Sequence, residues 1–232
     1  MKVLNLIIAN FQKGVYEHLV TQWRRYMNVD PEVRSLFLIF DPTLKSDYLL
    51  SDDTLTLKGT DSYVPGIYDK SIRAMKICLS LPEFSEVTYV IRSNLSSFWI
   101  WCRLHTFLKD APSKQYVASG HIMNVYGYLA PQGSNIIMSR DVALSFSNEL
   151  NHPQKSLPDD VVFGVLCKKY DIPIQKYDWC VSTHIIQPAE YPPFIDTIAP
   201  NIFTIRNNLL NPDDRNKYEG LKYKMLVDTF YN

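Results

Sequence analysis

The first forty residues constrain the fold most. Residues 2–9, KVLNLIIA, form a nearly unbroken run of Val, Leu and Ile that suits a strand buried on both faces of a sheet. After Gly14, Val15, Leu19, Trp23 and Tyr26, with Tyr16 and Val20 beside them, recur at the spacing of an amphipathic helix. Residues 35–40, SLFLIF, then read as a second strand closed by Asp41-Pro42. Strand, helix, strand predicts a right-handed parallel unit and hence an α/β fold.

Beyond Asp41 the pattern loosens. Residues 41–66, with Asp47, Asp52, Asp53 and Asp61, read as polar connection in which 54–57 forms at most a short strand. Asp69 is placed to cap a helix with Ile72, Met75 and Leu79 on its apolar face, and 87–91 is a buried strand stopping at Arg92-Ser93-Asn94. A helix from about Ser96 would carry Phe98, Trp101, Cys102 and His105. Runs 115–118, 122–128 and 135–138, separated by Gly and Pro, suggest antiparallel or mixed strands. Ser139 is an N-cap candidate for a segment ending near Leu150, and Asp159 or Asp160 for a helix with Val162, Val165, Leu166 and Tyr170. Residues 188–200 read as extended, Pro-rich surface chain, and 213–230 as a closing helix with Tyr218, Leu221 and Met225 on one side. With no repeat, low-complexity tract or linker, the simplest organisation is one domain over residues 1–232, its central sheet mixed, mostly parallel and flanked by helices.

Several function classes drop out on composition. The 24 Lys+Arg balance 24 Asp+Glu, so the positive field with which a general nucleic-acid binder gathers phosphates is missing, and no nucleic-acid partner is expected. The longest apolar stretches, 3–9 and 36–40, fall far short of the roughly 20 residues that cross a bilayer, so no membrane span is expected. The N-terminus shows no secretory pattern. Cys78, Cys102, Cys167 and Cys180 form no C-x-x-C pair and fit reduced thiols, and five histidines without H-E-x-x-H spacing argue against a zinc hydrolase.

No G-x-G-x-x-G follows the first strand, where residues 9–14 read ANFQKG, and no G-x-x-x-x-G-K-[ST] occurs. The dinucleotide-binding and P-loop readings thereby lose their main support. Instead there is an ordered series of polar turns, each just after a buried strand or just before a helix, where the ligand edge of an open α/β sheet lies. The series runs Thr54-Leu55-Thr56-Leu57-Lys58, then Tyr63-Val64-Pro65-Gly66 with Lys70, then Arg92-Ser93-Asn94. It continues with Gly133-Ser134-Asn135, Ser139-Arg140-Asp141 and Pro158-Asp159-Asp160-Val161-Val162-Phe163-Gly164. In this order, over residues 54–172, the chain resembles GT-A fold glycosyltransferases of the β-1,3-galactosyltransferase and Fringe type. It is more similar to their short, anchor-free relatives in large DNA viruses and some microbes than to the Golgi enzymes. The Pro-Asp-Asp-x-x-x-Gly element is the most specific part; the others count through their order.

The resemblance implies transfer of a hexose or deoxyhexose from a UDP- or GDP-sugar to a glycan hydroxyl, with inversion. The N-terminal half is then expected to bind the nucleotide-sugar and the C-terminal half the glycan acceptor, and with no membrane span expected the enzyme is placed in the cytoplasm, in the host cytoplasm for a viral one. Asp160 matches the family's base for the acceptor proton; Asp159 and Asp160 equally suit a helix start, where free amides and the dipole favour carboxylates. The family's Asp-x-Asp metal motif is replaced by Arg92-Ser93-Asn94. A hard divalent cation takes oxygen ligands, of which Asn94 supplies only a neutral carbonyl, and Arg92 would repel the ion while itself fitting phosphate oxygens. Two modes of donor binding follow: one without a metal, and one with Mn²⁺ or Mg²⁺ held weakly by Asn94 and His184, the phosphates supplying most ligands. The plain alternative for Arg92 is a carboxylate pair at a strand end.

Tyr63 and Lys70 fall on the donor side in this resemblance, Lys70 also reading as an ordinary surface lysine. Gly133 and Ser134 suit a turn beside a bound sugar, or an ordinary turn. Arg206 and Arg215, flanking Asn207-Asn208, either reach phosphates or sugar hydroxyls or are solvated, and His184 is either a ligand or a structural histidine. Tyr63, Phe98, Trp99, Trp101, Tyr126, Tyr128 and Trp179 offer faces for sugar stacking and equally an aromatic core. The missing Asp-x-Asp keeps a second function open, a non-catalytic GT-A module that binds glycan or nucleotide. A nucleotidyltransferase would need two metal-binding carboxylates on adjacent strands, and no convincing pair is found.

Overall fold

The computed structural model describes residues 1–11, 15–185, 187–207 and 211–232. Gly14 and Asn208, both singled out in the sequence, lie outside the described residues. The apolar N-terminal run is β1 (Lys2–Ile8), followed by α1 (Val15–Tyr26) and β2 (Val33–Asp41), and the two strands pair in parallel from Val3 opposite Val33 to Ile8 opposite Leu38. Val3 and Ile7 enter the core on one face of the sheet while Leu4 and Leu6 enter the core on the other, which is why this strand is apolar throughout. Its one polar interior residue is satisfied across three strands: Ser93 Oγ donates to Asn5 Oδ1 at 2.7 Å, and Asn5 Nδ2 donates to Ser35 Oγ at 3.2 Å.

The polar stretch expected to be connection holds two strands, β3 (Tyr48–Leu50) and β4 (Thr54–Lys58), with Leu55 and Leu57 fully buried. Its acids mislead because Asp52 and Asp53 occupy the turn between them. Helix α2 (Gly66–Ser80) starts before Asp69, which therefore does not cap it; the Gly66 amide donates instead to Ser62 Oγ at 3.0 Å. Strand β5 (Val87–Asn94) does not stop before Arg92, because β1 pairs with it as far as Asn94. Phe98, expected in a helix, lies in β6 (Ser97–Trp99), held by a strand more than a hundred residues later, and α3 (Trp101–Leu108) begins only after it.

Next come β7 (Val117–Ser119), β8 (Ile122–Val125), β9 (Tyr128–Pro131) and β10 (Asn135–Ser139). Residues 122–128 are thus a hairpin turned at Tyr126 and Gly127, both left-handed with φ of 53° and 79°. Helix α4 (Arg140–Phe146) ends short of Leu150, where Glu149 N closes a turn on Phe146 O. Then follow α5 (Asp159–Lys169), β11 (Ile174–Lys176), β12 (Cys180–Thr183), α6 (Tyr191–Asp196) and β13 (Thr204–Asn207). The Pro-rich segment is therefore helical in part, not extended: Pro192 and Pro193 sit in the first turn of α6, where a missing N–H costs nothing, and Tyr191 and Ile195 are buried. A π turn, Arg215–Glu219, leads into the closing helix Gly220–Phe230. The wider turn shifts the buried stripe, so Glu219, Lys222, Tyr223, Leu226 and Val227 face inward in place of the expected Tyr218 and Leu221, while the expected Met225 is half-buried against the same core.

The main sheet has the order β11-β7-β10-β5-β1-β2-β4-β3. Pairs β5/β1, β1/β2, β2/β4 and β11/β7 are parallel, the other three antiparallel, which matches the expected mixed, mostly parallel sheet. A three-stranded sheet, β12-β13-β6, and the β8-β9 hairpin stand beside it. Helices α2, α4 and α5 pack on one face of the main sheet; α1, α3, α6, the closing helix and the three-stranded sheet share the core on the other.

Candidate active site

The chemistry gathers where β5 and β1 end side by side, Asn94 opposite Ile8. Residues 92 and 94 project on the same face of β5, and Arg92 Nη1 donates to Asn94 Oδ1 at 2.6 Å. Arg92 Nη2 lies 2.6 Å from Asp159 Oδ2, an ion pair in which both side chains are under a tenth exposed. The carboxylate-pair alternative for Arg92 is thus what the structure contains. Burial raises the Asp159 pKa; Arg92 pulls it down and Asp160 pushes it up.

Asp160 follows on the first turn of α5, half-buried, its Oδ1 accepting from Val161 N at 2.9 Å. The glycines explain how these side chains come together. A Cβ on Gly133 would lie 3.3 Å from both Arg92 Nη1 and Asp160 Cβ, so its absence leaves room between them. A Cβ on Gly164 would lie 2.2 Å from Leu129 O, so this glycine lets α5 press backbone to backbone on β9. The Pro-Asp-Asp-x-x-x-Gly element therefore places two carboxylates at one end of a helix and a close packing contact one turn on. Tyr63 and Tyr126, 71% and 72% exposed, stand nearby; burial raises the Tyr63 phenol pKa, and Asp160 and Asp159 add to that rise.

Beside this pair runs a groove made of two cavities, of about 390 and about 250 Å³, that share Ile8, Tyr16 and Ile67 as walls. The larger is lined by Asp61, Tyr63 and Lys70, the smaller by Asn94, Arg206, Asn207 and Arg215. Both halves of the chain contribute to this groove, since β13 and the π turn line it together with β1 and α1. Lys70 is not a surface lysine: 1% exposed, it donates to Ala9 O at 3.0 Å and to Asp61 Oδ1 at 2.5 Å. Burial lowers its pKa and Asp61 raises it. A larger cavity, about 440 Å³ with Phe107, Tyr177 and Phe203 in its walls, holds none of the residues singled out as site residues.

Ser134 does not line the groove. It is 1% exposed, its Oγ accepts from Asn135 Nδ2 at 3.4 Å and its carbonyl from Ser97 Oγ at 2.8 Å, which makes it a brace under the Gly133 turn. His184 lies exposed just past β12, outside both cavities of the groove. The donor set at Asn94 does not suit a hard divalent cation, because its one carbonyl oxygen is already held by a guanidinium. Among the described residues no group of three or more His, Cys, Asp or Glu is placed to hold a metal. Of the aromatics, Phe98, Trp99, Trp101 and Trp179 are core, and Tyr128 accepts from Gln154 Nε2 at 2.9 Å. Tyr16 and Asp61 were not singled out in the sequence as site residues; a helix tyrosine and an acid in a polar turn carry no local signal of a shared groove.

No protein-family profile and no curated protein sequence matches the chain. Among solved structures, it is similar to a glycosyltransferase involved in the glycosylation of the major capsid of PBCV-1, with a TM-score of 0.55 and 8% identity. The likeness covers 95% of this chain and 100% of that one. The chain therefore has a glycosyltransferase fold, in keeping with the GT-A-like α/β architecture expected of it. No helix among the described residues is long and apolar enough to cross a membrane.

Proposed function

We propose that the chain is a GT-A glycosyltransferase of the β-1,3-galactosyltransferase and Fringe type, moving a hexose or deoxyhexose from a UDP- or GDP-sugar to a glycan hydroxyl with inversion. The observation that carries this reading is the Arg92–Asp159 pair with Asp160 beside it, joined through Asn94 to a groove along the ends of β1 and β5 on a glycosyltransferase fold. In the reaction Asp160 takes the acceptor proton as the hydroxyl attacks the anomeric carbon, and Asp159 holds Arg92 in place. Arg92 opposes the charge that grows on the departing nucleotide, and a cation fixed beforehand lowers the barrier more than it tightens ground-state binding. Asp160→Asn should lower donor-dependent transfer by about 10²–10⁴-fold while nucleotide affinity, read by calorimetry, stays unchanged. Full activity in that variant removes Asp160 from the base role.

The guanidinium at Asn94 also favours a second reading, a module that binds nucleotide or glycan without turnover. A thermal-shift panel of nucleotides and nucleotide-sugars, each with Mn²⁺ and with EDTA, followed by donor-hydrolysis assays, separates the two. Binding without any turnover supports the module.

A further inference from the structure

In the wall of the smaller cavity, Arg206 and Asn207 each carry a buried hydrogen-bond donor without a partner among the described residues, and Arg92, bonded to Asn94 of the same wall, carries another. Asn207, 2% exposed, accepts from Tyr191 OH at 2.5 Å through Oδ1, while its Nδ2 is buried without a partner among the described residues. Arg206 precedes it on β13, with Nε buried and unpartnered and no carboxylate in ion-pair contact among the described residues. Arg92 Nε is a third such donor. Arg215 is held in the wall by Glu219 Oε2 at 2.6 Å, with its guanidinium 5.6 Å from the Tyr16 ring centre. Burial lowers the Arg206 pKa; Cys180 and Asp160 oppose this, while the charges of Arg92 and Arg215 act in the same direction as burial.

The unmet groups on Arg92, Arg206 and Asn207 are donors, and the unmet acceptor Glu219 Oε1 sits on the residue that holds Arg215; buried donors without acceptors are costly and rare. The missing component is rich in acceptors and negative. Two guanidinium forks with an amide between them match two linked phosphate groups better than a single carboxylate. We propose that Arg206, Asn207 and Arg215 form a diphosphate-binding site, supplied by β13 and the π turn and independent of any metal. That the diphosphate belongs to a nucleotide-sugar rests on the function proposed above; the site itself rests on the donors and the cavity.

The test is calorimetry on the full chain in EDTA, with inorganic pyrophosphate and inorganic phosphate as probes. Wild type should bind pyrophosphate at least about tenfold more tightly than phosphate, more weakly as salt rises. Arg206→Gln and Asn207→Asp should each weaken pyrophosphate about tenfold or more, while Lys114→Gln, an exposed lysine before β7, changes nothing. Asn207→Asp keeps the acceptor that Tyr191 uses, so it decides the matter if Arg206→Gln fails to fold. Pyrophosphate binding that ignores both substitutions, or no binding by wild type, overturns the site. Binding lost in the variants with no sugar transfer by wild type keeps the site and removes the transferase reading; transfer whose donor KM ignores Arg206→Gln does the reverse.

Discussion

The two faces of the main sheet are buried by different means. On one, Leu4, Leu6, Leu36, Leu38, Leu55 and Leu57 meet the inward faces of α2, α4 and α5, which are mainly aliphatic with one ring each, Tyr68, Phe146 and Phe163. On the other, Trp23, Tyr26, Trp99, Trp101 and Tyr223 form a continuous set of rings, with Trp23 and Tyr26 4.9 Å apart and Trp99 and Trp101 5.9 Å apart. Aliphatic burial is non-directional, whereas these rings also carry polar ends that choose partners. Trp23 Nε1 donates to Leu95 O at 2.9 Å, Tyr223 OH to Ser97 O at 2.6 Å and Tyr231 OH to Trp99 O at 2.7 Å. Each bond ties α1 or the closing region to β6 or to the turn before it. The aromatic face therefore does more than fill space: it sets where β13 and the π turn stand, and so where Arg206, Asn207 and Arg215 meet the groove.

That contrast has a limit on the aliphatic face itself, where α5 touches β9 through Gly164. Gly164→Ala must push backbone against backbone and should cost about 3 kcal/mol, the upper end for overpacking, in urea unfolding. It should also reduce transfer, since α5 carries Asp159 and Asp160. A cost under about 1 kcal/mol means the helix shifts freely and its packing does not position the acids. A smaller effect tests the contrast directly. Tyr223→Phe leaves Ser97 O and the Tyr26 hydroxyl, 3.1 Å away, without their partner and should cost about 1–3 kcal/mol. Ile72→Val on the aliphatic face should cost about 0.5–1.5 kcal/mol. If losing the oxygen costs less than losing the methyl, the hydroxyls do not specify the aromatic face.

The same contrast explains what the sequence discloses. Where burial is apolar and periodic, as in β1, α1 and β2, the pattern alone predicts element and pairing, with β2 extending beyond the expected 35–40 to Val33–Asp41. Where a buried residue is polar, the pattern misleads: Glu219 and Lys222 are fully buried, so the closing helix reads with the wrong side inward. Strand β6 and the extension of β5 through Arg92 depend on partners distant in sequence, which no local window contains. The site divides likewise. Arg92, Asp159, Asp160 and Gly133 are each legible as unusual residues at strand or helix ends, but their juxtaposition is a product of the sheet order. Asp61 and Asn207 enter the groove only through tertiary contacts, with Lys70 and with Tyr191.

Two carboxylates offer the finest test of the contrast, because they should titrate in opposite senses. Glu149 lies at the rim of the aliphatic side; burial raises its pKa, but hydrogen bonds from Lys169 and Tyr170 outweigh that and hold it below the ordinary 4.5. Glu219 lies behind the groove on the aromatic side, where burial raises its pKa above 4.5 against the pull of Arg215, Lys222 and Arg206. A lowered folded-state pKa gives stability that is present above the ordinary value and lost as pH falls through the folded one; a raised pKa gives stability present below the ordinary value and lost as pH rises through the folded one. The stability difference between wild type and Glu149→Gln should therefore grow as pH rises from 3 to 6, by less than about 1 kcal/mol for a rim ion pair. The difference between wild type and Glu219→Gln should shrink as pH rises above about 4.5. Leaving Arg215 without its carboxylate shifts that second curve at every pH, so the slope and not the height is the readout. Urea midpoints at half-unit pH steps measure both slopes, and slopes of the same sign would show that the two sides of the sheet hold their carboxylates in the same way.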